Sequence, residues 1–260
     1  MSSAALIAEF QAFLETTKCK PSEIAARSAA IYEAVLEKSR HLDAGNFRSL
    51  HCDDLTQLFE EYDQRFFGGR CRQALGEAKL SFRLSPRMTS AGGKTTRITP
   101  RGRGTPRYEI AVSTTLLFQT FHDVEREVVV TGVVCHDRLQ ALQRVFEHEL
   151  IHLIEMMAWN ASNCSAARFQ SIAARFFGHT DHRHQLITPK ERAVVKYGLR
   201  PGSLVRFQMG GRHYEGILNR ITKRATVLVE DPAGRLYNNG RRYAAYYVPL
   251  EKLTRVDAAG

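Results

Sequence analysis

No stretch of this chain approaches the ~20 consecutive apolar residues that a membrane-crossing helix requires. No CxxC pair occurs either: the cysteines, Cys19, Cys52, Cys71, Cys135 and Cys164, are odd in number and widely scattered. That spacing indicates neither a zinc ribbon nor a disulfide framework, and it suits a reducing compartment. The opening residues MSSAALIAEFQAFLE lack a basic n-region and meet an acid at Glu9, so a signal peptide is not expected. Internal repeats and low-complexity tracts are missing as well. These absences point to a soluble, intracellular protein with no membrane partner.

Acidic charge is in deficit. Against 37 Lys and Arg stand 27 Asp and Glu, a net charge of +10. Such a surface attracts polyanions, of which nucleic acid is the commonest. The plainer alternatives are a solvated basic surface or weak attraction to anionic membranes. Hydrophobic residues at 43% and charged residues at 25% are ordinary for a globular chain, and 260 residues leave room for one substantial domain and a smaller one.

Residues 3 to 40 read as two helices separated near Pro21, the second with Ile24, Ile31, Val35 and Leu36 at helical spacing. A third spans roughly Asp53 to Phe67, with Leu55, Leu58, Phe59, Tyr62 and Phe66 as its apolar stripe and Gly68-Gly69 as its stop. Strands are expected over Ala78 to Leu84 and Arg107 to Ser113. The Gly-, Pro-, Ser- and Thr-rich stretch SPRMTSAGGKTTRITPRGRGTP between them reads as turns and loop. Two long helices follow, about Arg138 to Trp159 with Asp137 as N-cap and Ala166 to Phe177 with Gly178 as stop. Beyond Pro201, Val205 to Gln208, His213 to Leu218, Ala225 to Glu230 and Tyr243 to Val248 alternate as short strands between turn signals. That spacing predicts a small antiparallel barrel of SH3-like size.

The chemistry lies in RVFEHELIHLIEMM, which contains HExxH as His148-Glu149-Leu150-Ile151-His152. Residues i and i+4 lie one above the other on a helix, so both imidazoles can reach one ion, zinc being the usual choice. Glu149, next along the helix, is placed to take a proton from water that the metal acidifies. A chain of this composition contains HExxH by chance about once in forty. Here Leu139, Leu142, Val145, Phe146, Leu150, Leu153 and Met157 frame it in a largely apolar helix. The alternative, two histidines and a glutamate facing only solvent, would put costly ionisable groups in an apolar frame.

The pieces around this motif resemble the SprT/Spartan family of metalloproteases. DLTQLFEEYDQRFFGG is similar to the family's opening helix, and SFRLSPRMTSAGG to its strand leading into a Met-Thr-x-Ala-Gly turn. YEIAVSTTLL is similar to its next strand and HELIHLIE to its metal helix, so the resemblance runs over about residues 53 to 178. It implies a zincin-type fold and peptidase activity on proteins bound or crosslinked to DNA. The family's third ligand is a histidine in an H-G-x-x-F stretch. Here Ser165-Ala166-Ala167-Arg168-Phe169 stands at that place, and Ser165 is a poor zinc ligand. Cys164 is adjacent and can bind zinc as thiolate. His179, His182 or His184 of GHTDHRH are the other candidates, or the third position is not protein-filled. Cys164 and His179 bracket a helix and so lie on the order of 20 Å apart, which prevents both from serving.

Positive charge concentrates in two regions. From Arg70 to Glu109 there are ten basic residues against two acids, and from Arg200 onward eleven against five. Lys94, Arg97, Arg101 and Arg103 of the loop could hold phosphate backbone near the cleft. Arg220, Lys223 and Arg224, in a region that also holds Tyr237, Tyr243, Tyr246 and Tyr247, suit single-stranded nucleic acid. Ordinary half-buried strand patterning explains the same tyrosines equally well.

The expectation is therefore an α+β protein in three parts: a helical N-terminal extension (1–45), a SprT-like zinc metallopeptidase domain (46–198) and a small antiparallel β module (199–260). Catalysis falls to Glu149 and metal binding to His148, His152 and Cys164, with zinc as cofactor. The expected partners are protein substrates and DNA, single-stranded by preference. Localisation would be cytoplasmic and nucleoid-associated in a bacterium, nuclear in a eukaryote. The competing reading is a non-catalytic, DNA-associated adaptor with a structural metal site.

Overall fold

The structure is a computed structural model that describes residues 3–100, 102 and 104–256, so Arg101 and Arg103 of the basic loop lie outside the described residues. The fold is mixed α+β. The chain divides into two compact units, residues up to 121 with 126–186, and residues 122–125 with those from 187 on. No helix among the described residues is long and apolar enough to cross a membrane.

The first unit is built around one helix. Its chain order is α1 (Ser3–Thr16), α2 (Pro21–Lys38), α3 (Cys52–Tyr62), a π-helical turn (Asp63–Phe67), α4 (Arg70–Leu75), β1 (Lys79–Ser85), β2 (Gly93–Ile98), β3 (Arg107–Ser113), α5 (Thr114–Gln119), β4 (Val128–Val130), β5 (Val133–Cys135), α6 (Arg138–Trp159) and α7 (Ala167–Phe177). Helix α6 starts where expected, with the Asp137 carboxylate accepting the Gln140 N–H at 2.8 Å. Arg138 is buried at that end, with no carboxylate partner among the described residues. Its guanidinium donates to the carbonyls of Asn46, Phe47, Leu117 and Thr120, which stand in for the lost water.

Around α6 the core is strongly aromatic. Tyr62 stacks at 5.8 Å on both Phe66 and Phe146, and Phe177 meets Phe66 edge-on at 4.9 Å. Each such buried ring contributes on the order of 1.5–3 kcal/mol. Phe10 and Leu14 of α1 and Ile31 and Val35 of α2 belong to this same core, so the N-terminal helices are part of the first unit rather than an appendage. The helix expected over Asp53 to Phe67 breaks at Tyr62, where the π turn re-aims Phe66 and Phe67 inward. Gly68 and Gly69 end it at φ 59° and 80°, a conformation that costs a side chain energy. The buried Asp63 carboxylate then accepts the Cys71 and Arg72 N–H groups at 2.8 and 2.9 Å, starting α4.

Strands β1 and β3 run parallel and β2 runs antiparallel to β3, giving the order β1-β3-β2 with β2 at an edge beside α6. The stretch read as loop from the sequence thus contains a strand. Lys94-Thr95-Thr96-Arg97-Ile98 is rich in β-branched residues and pairs with β3, and that pairing prevails over the turn-forming residues on either side. The hairpin β4–β5 turns through Thr131 (φ 55°) and Gly132 (φ 79°), and Val130 bridges to His184, which brings the 179–186 segment back along the hairpin.

The second unit holds α8 (Pro189–Tyr197), β6 (Leu204–Met209), β7 (Arg212–Ile221), β8 (Ala225–Leu236), β9 (Arg242–Val248) and β10 (Thr254–Arg255). The strands form one antiparallel sheet in the order β10-β6-β7-β8-β9. No ladder joins β9 to β10 among the described residues, so the expected barrel is instead an open sheet. Its core is Ala193, Leu199, Val205, Phe207, Leu218, Val227 and Val248 with their neighbours. Arg192 and Lys196 of α8 both pair with Asp123 of the 122–125 segment, Arg192 at 2.6 Å.

Candidate metal centre

His148 and His152 lie one turn apart on α6, and their Nε2 atoms face each other at 3.2 Å. Two nitrogens bound at about 2.0–2.1 Å to one tetrahedral zinc stand about 3.3 Å apart, so the pair is spaced as such ligands are. Cys164, on the α6–α7 loop, completes a group whose three ligand atoms all lie within 4.8 Å of one another. The buried Phe169 ring packs against both imidazoles, with centroids 4.9 Å from His148 and 4.6 Å from His152.

The electrostatics keep both rings neutral. Burial, reinforced by the neighbouring histidines, pushes the His148 imidazole down to about 3. Burial also lowers His152, opposed by the nearby Glu155 carboxylate. A neutral imidazole at pH 7 offers the lone pair that a metal requires. On the far side of each ring the two differ. His152 Nδ1 lies 2.7 Å from Ser162 Oγ, whereas His148 Nδ1 is buried with no hydrogen-bond partner among the described residues. Imidazole nitrogen and thiolate sulfur are both donors that zinc takes in catalytic sites, and the orphaned nitrogen belongs to the ring edge away from this group.

Glu149 is buried beside this group. Thr95 Oγ1 lies 2.8 Å from its Oε2 and 2.9 Å from its carbonyl oxygen, sharing one proton between them. Burial pushes the Glu149 carboxyl up to about 7, with the Thr95 hydrogen bonds pulling the other way. A carboxyl poised near neutrality can both take and return a proton. Strand periodicity explains the approach, since Gly93 and Thr95 share the face of β2 turned to α6. A Cβ at Gly93 would lie 2.5 Å from Glu149 Cγ, so only glycine fits.

The remaining candidates have other partners. The buried His179 Nε2 sits 2.8 Å from Glu147 Oε2, and Glu147 also accepts a hydrogen bond from the Tyr62 hydroxyl at 2.7 Å and pairs with Arg144 at 2.9 Å. His184 Nε2 accepts the Gly92 N–H at 3.0 Å, and His182 faces Asp181 at 3.6 Å. Ser165 gives its hydroxyl proton to Asn163 Oδ1 at 2.7 Å. Of the third ligands considered, Cys164 is the one brought to His148 and His152. A second group, His41, His51 and Asp53, also gathers three ligand atoms, but at the N-terminus of α3, where the helix dipole opposes a cation and His51 serves as N-cap.

The basic residues fall in both units. Lys94 is exposed on β2, whereas Arg97 is half-buried and donates to Asn160 Oδ1 at 2.8 Å, tying β2 to the end of α6. Arg220, Lys223 and Arg224 are exposed about the β7–β8 turn of the second unit. Sequence reasoning passed over Thr95, Gly93, Ser162, Glu155 and Arg168. Only the glycine pair and the HExxHxxE spacing of Glu155 carried any signal. Comparison with protein-family models, with curated proteins and with solved structures returns no match to this chain.

Proposed function

We propose that the first unit is a zinc-dependent peptidase of SprT-like type whose third protein ligand is a cysteine. The observation that carries this reading is the convergence of His148, His152 and Cys164 with the buried, near-neutral Glu149 beside them. Zinc bound there supplies Lewis acidity, acidifying water and polarising a carbonyl. The chain's own residues do the rest. His148 and His152 would hold the ion through Nε2 and Cys164 through Sγ. Glu149 takes a proton at Oε1 or Oε2 and passes it to the leaving amine, while Thr95 keeps the carboxyl from swinging away. The ordered SprT-like pieces from DLTQLFEEYDQRFFGG to HELIHLIE support the same reading.

The substrate class we propose is protein held on DNA. Support comes from the net charge of +10 and from the exposed Lys94, Arg220, Lys223 and Arg224. The test is Glu149→Gln, assayed against a protein bound to single-stranded DNA. Zinc content should remain near one per chain while cleavage disappears. If the wild type holds zinc and cleaves nothing with DNA present, the peptidase reading fails and a DNA-associated adaptor with a structural metal takes its place.

A further inference from the structure

His152 is held from behind by a chain of polar groups that HExxH does not require. Its Nδ1 lies 2.7 Å from Ser162 Oγ, and Ser162 gives its one hydroxyl proton to Glu155 Oε2, also at 2.7 Å. Glu155 is wholly buried and its other oxygen accepts Arg168 Nε at 2.7 Å, so both of its oxygens serve as acceptors. The hydroxyl proton is therefore committed to Glu155, and toward the imidazole Ser162 Oγ can only accept. The proton on His152 must then sit on Nδ1, which leaves Nε2 bare on the side facing His148.

The same carboxylate also holds the loop after α6. Glu155 Oε2 accepts the Asn163 N–H at 3.3 Å, and Arg168 reaches on to the Ala161 carbonyl at 3.3 Å. The Arg168 guanidinium lies 4.5 Å above the Trp159 ring, which limits its freedom. Asn163 in turn accepts the Ser165 N–H and hydroxyl. Cys164 stands between these two residues, so its place depends on the same anchor.

Resting on the metal reading of His148, His152 and Cys164, we infer that Glu155 is a positioning residue of the centre. It sets the His152 tautomer through Ser162 and fixes the Cys164 loop through Asn163 and Arg168. Contacts of this kind behind a ligand are worth about 10–100-fold in metal affinity. His148 has no such support, which makes His152 the anchored ligand of the pair.

The test uses the full chain, metal-free and zinc-loaded. Nitrogen NMR of the metal-free protein should show His152 protonated on Nδ1, and chelator competition gives the zinc affinity. Ser162→Ala should release His152 toward the Nε2-protonated tautomer and weaken zinc binding about 10–100-fold with the fold intact, while Ser162→Thr should keep both properties. Glu155→Gln should weaken binding in the same direction. Should it fail to fold, Ser162→Ala still decides. Zinc held as tightly by Ser162→Ala as by the wild type, with the tautomer unchanged, overturns the inference alone. A wild type that binds no zinc at His148 and His152 overturns the metal reading, and the inference with it.

Discussion

Gly93 and Glu149 are in contact so close that a methyl group cannot come between them: a Cβ at Gly93 would stand 2.5 Å from Glu149 Cγ and 2.7 Å from its Oε1. The edge strand is thus pressed onto the candidate base. Gly93→Ala must move either β2 or the carboxylate. Because a misplacement of about 1 Å costs on the order of 100-fold in rate, cleavage should drop by about that factor. Zinc content should be unchanged, since neither histidine moves. Thr95→Val, which removes the hydrogen bond to Oε2 without adding bulk, should lower the rate less. Parallel assays of zinc content and cleavage check both expectations, and a Gly93→Ala protein with full activity would show that Glu149 is not the base.

Cys164 decides whether the centre has three protein ligands. Cys164→Ser should weaken zinc binding by at least about tenfold, since a lost ligand costs no less than a lost supporting contact. Substituting cobalt for zinc should give a thiolate-to-metal charge-transfer band in the wild type and none in Cys164→Ser. Hydrogen peroxide, by taking the thiolate to sulfenic acid, should release zinc from the wild type but not from Cys164→His. A charge-transfer band that survives in Cys164→Ser would remove Cys164 from the centre.

His179 offers the converse check. Its imidazole belongs to the buried Tyr62–Glu147–Arg144–His179 group, so it serves the fold and not the metal. Glu147→Ala leaves Arg144 and His179 without their acceptor and should destabilise the first unit by about 3–5 kcal/mol. His179→Ala should lower thermal stability and leave zinc stoichiometry as it was. Loss of zinc at full stability would return His179 to the ligand set.

Acid should loosen the second unit through Asp123. Hydrogen bonds from Arg192 and Lys196 hold its carboxyl well below the usual carboxylate range. A group depressed in the folded state contributes stability that is complete above its unfolded value of about 3.9 and is lost as pH falls toward the folded value. Stability of the second unit should therefore fall below about pH 4. Asp123→Asn should cost about 1–3 kcal/mol at neutral pH and flatten that acid dependence. Chemical denaturation at pH 7 and pH 3 of both proteins measures the difference.

What the sequence made legible follows from which interactions are local. Helix α6 was readable to its ends because Asp137 caps it and its apolar residues recur at helical spacing. For the same reason His148 and His152 could be placed on one face. Gly178 likewise stops α7 in the left-handed conformation expected of it. Strand β2 was not readable, because the partner that makes Gly93–Ile98 a strand is β3, beyond an intervening Gly-Pro stretch. Ser162 and Thr95 escaped for a related reason. Each meets its partner across a loop or between elements, and a lone hydroxyl carries no periodic signal. Cys164 was reachable from the sequence only as one of several candidates, because the reversal of the chain after Asn160 sets which side chain returns to the histidines.

Nucleic-acid binding can be separated from metal chemistry through the second unit. Arg220, Lys223 and Arg224 are exposed about one turn, whereas Arg206 and Arg241 are already paired with Glu215 and Glu230. If these three exposed cations contact phosphate, each releases counterions, and the salt slope for a single strand changes by about 0.7 per contact. Replacing all three with Ala should reduce the slope by about 2 and weaken binding similarly for every base sequence, since phosphate contacts carry no sequence reading. Zinc affinity should not move. Replacing Tyr247, which is 62% exposed on β9, should instead cost about 1–3 kcal/mol without altering the slope if a base stacks on it. Titrations of a labelled oligonucleotide at several salt concentrations separate the two contributions, and a slope unchanged in the triple variant would place the DNA contact, if any, outside this turn.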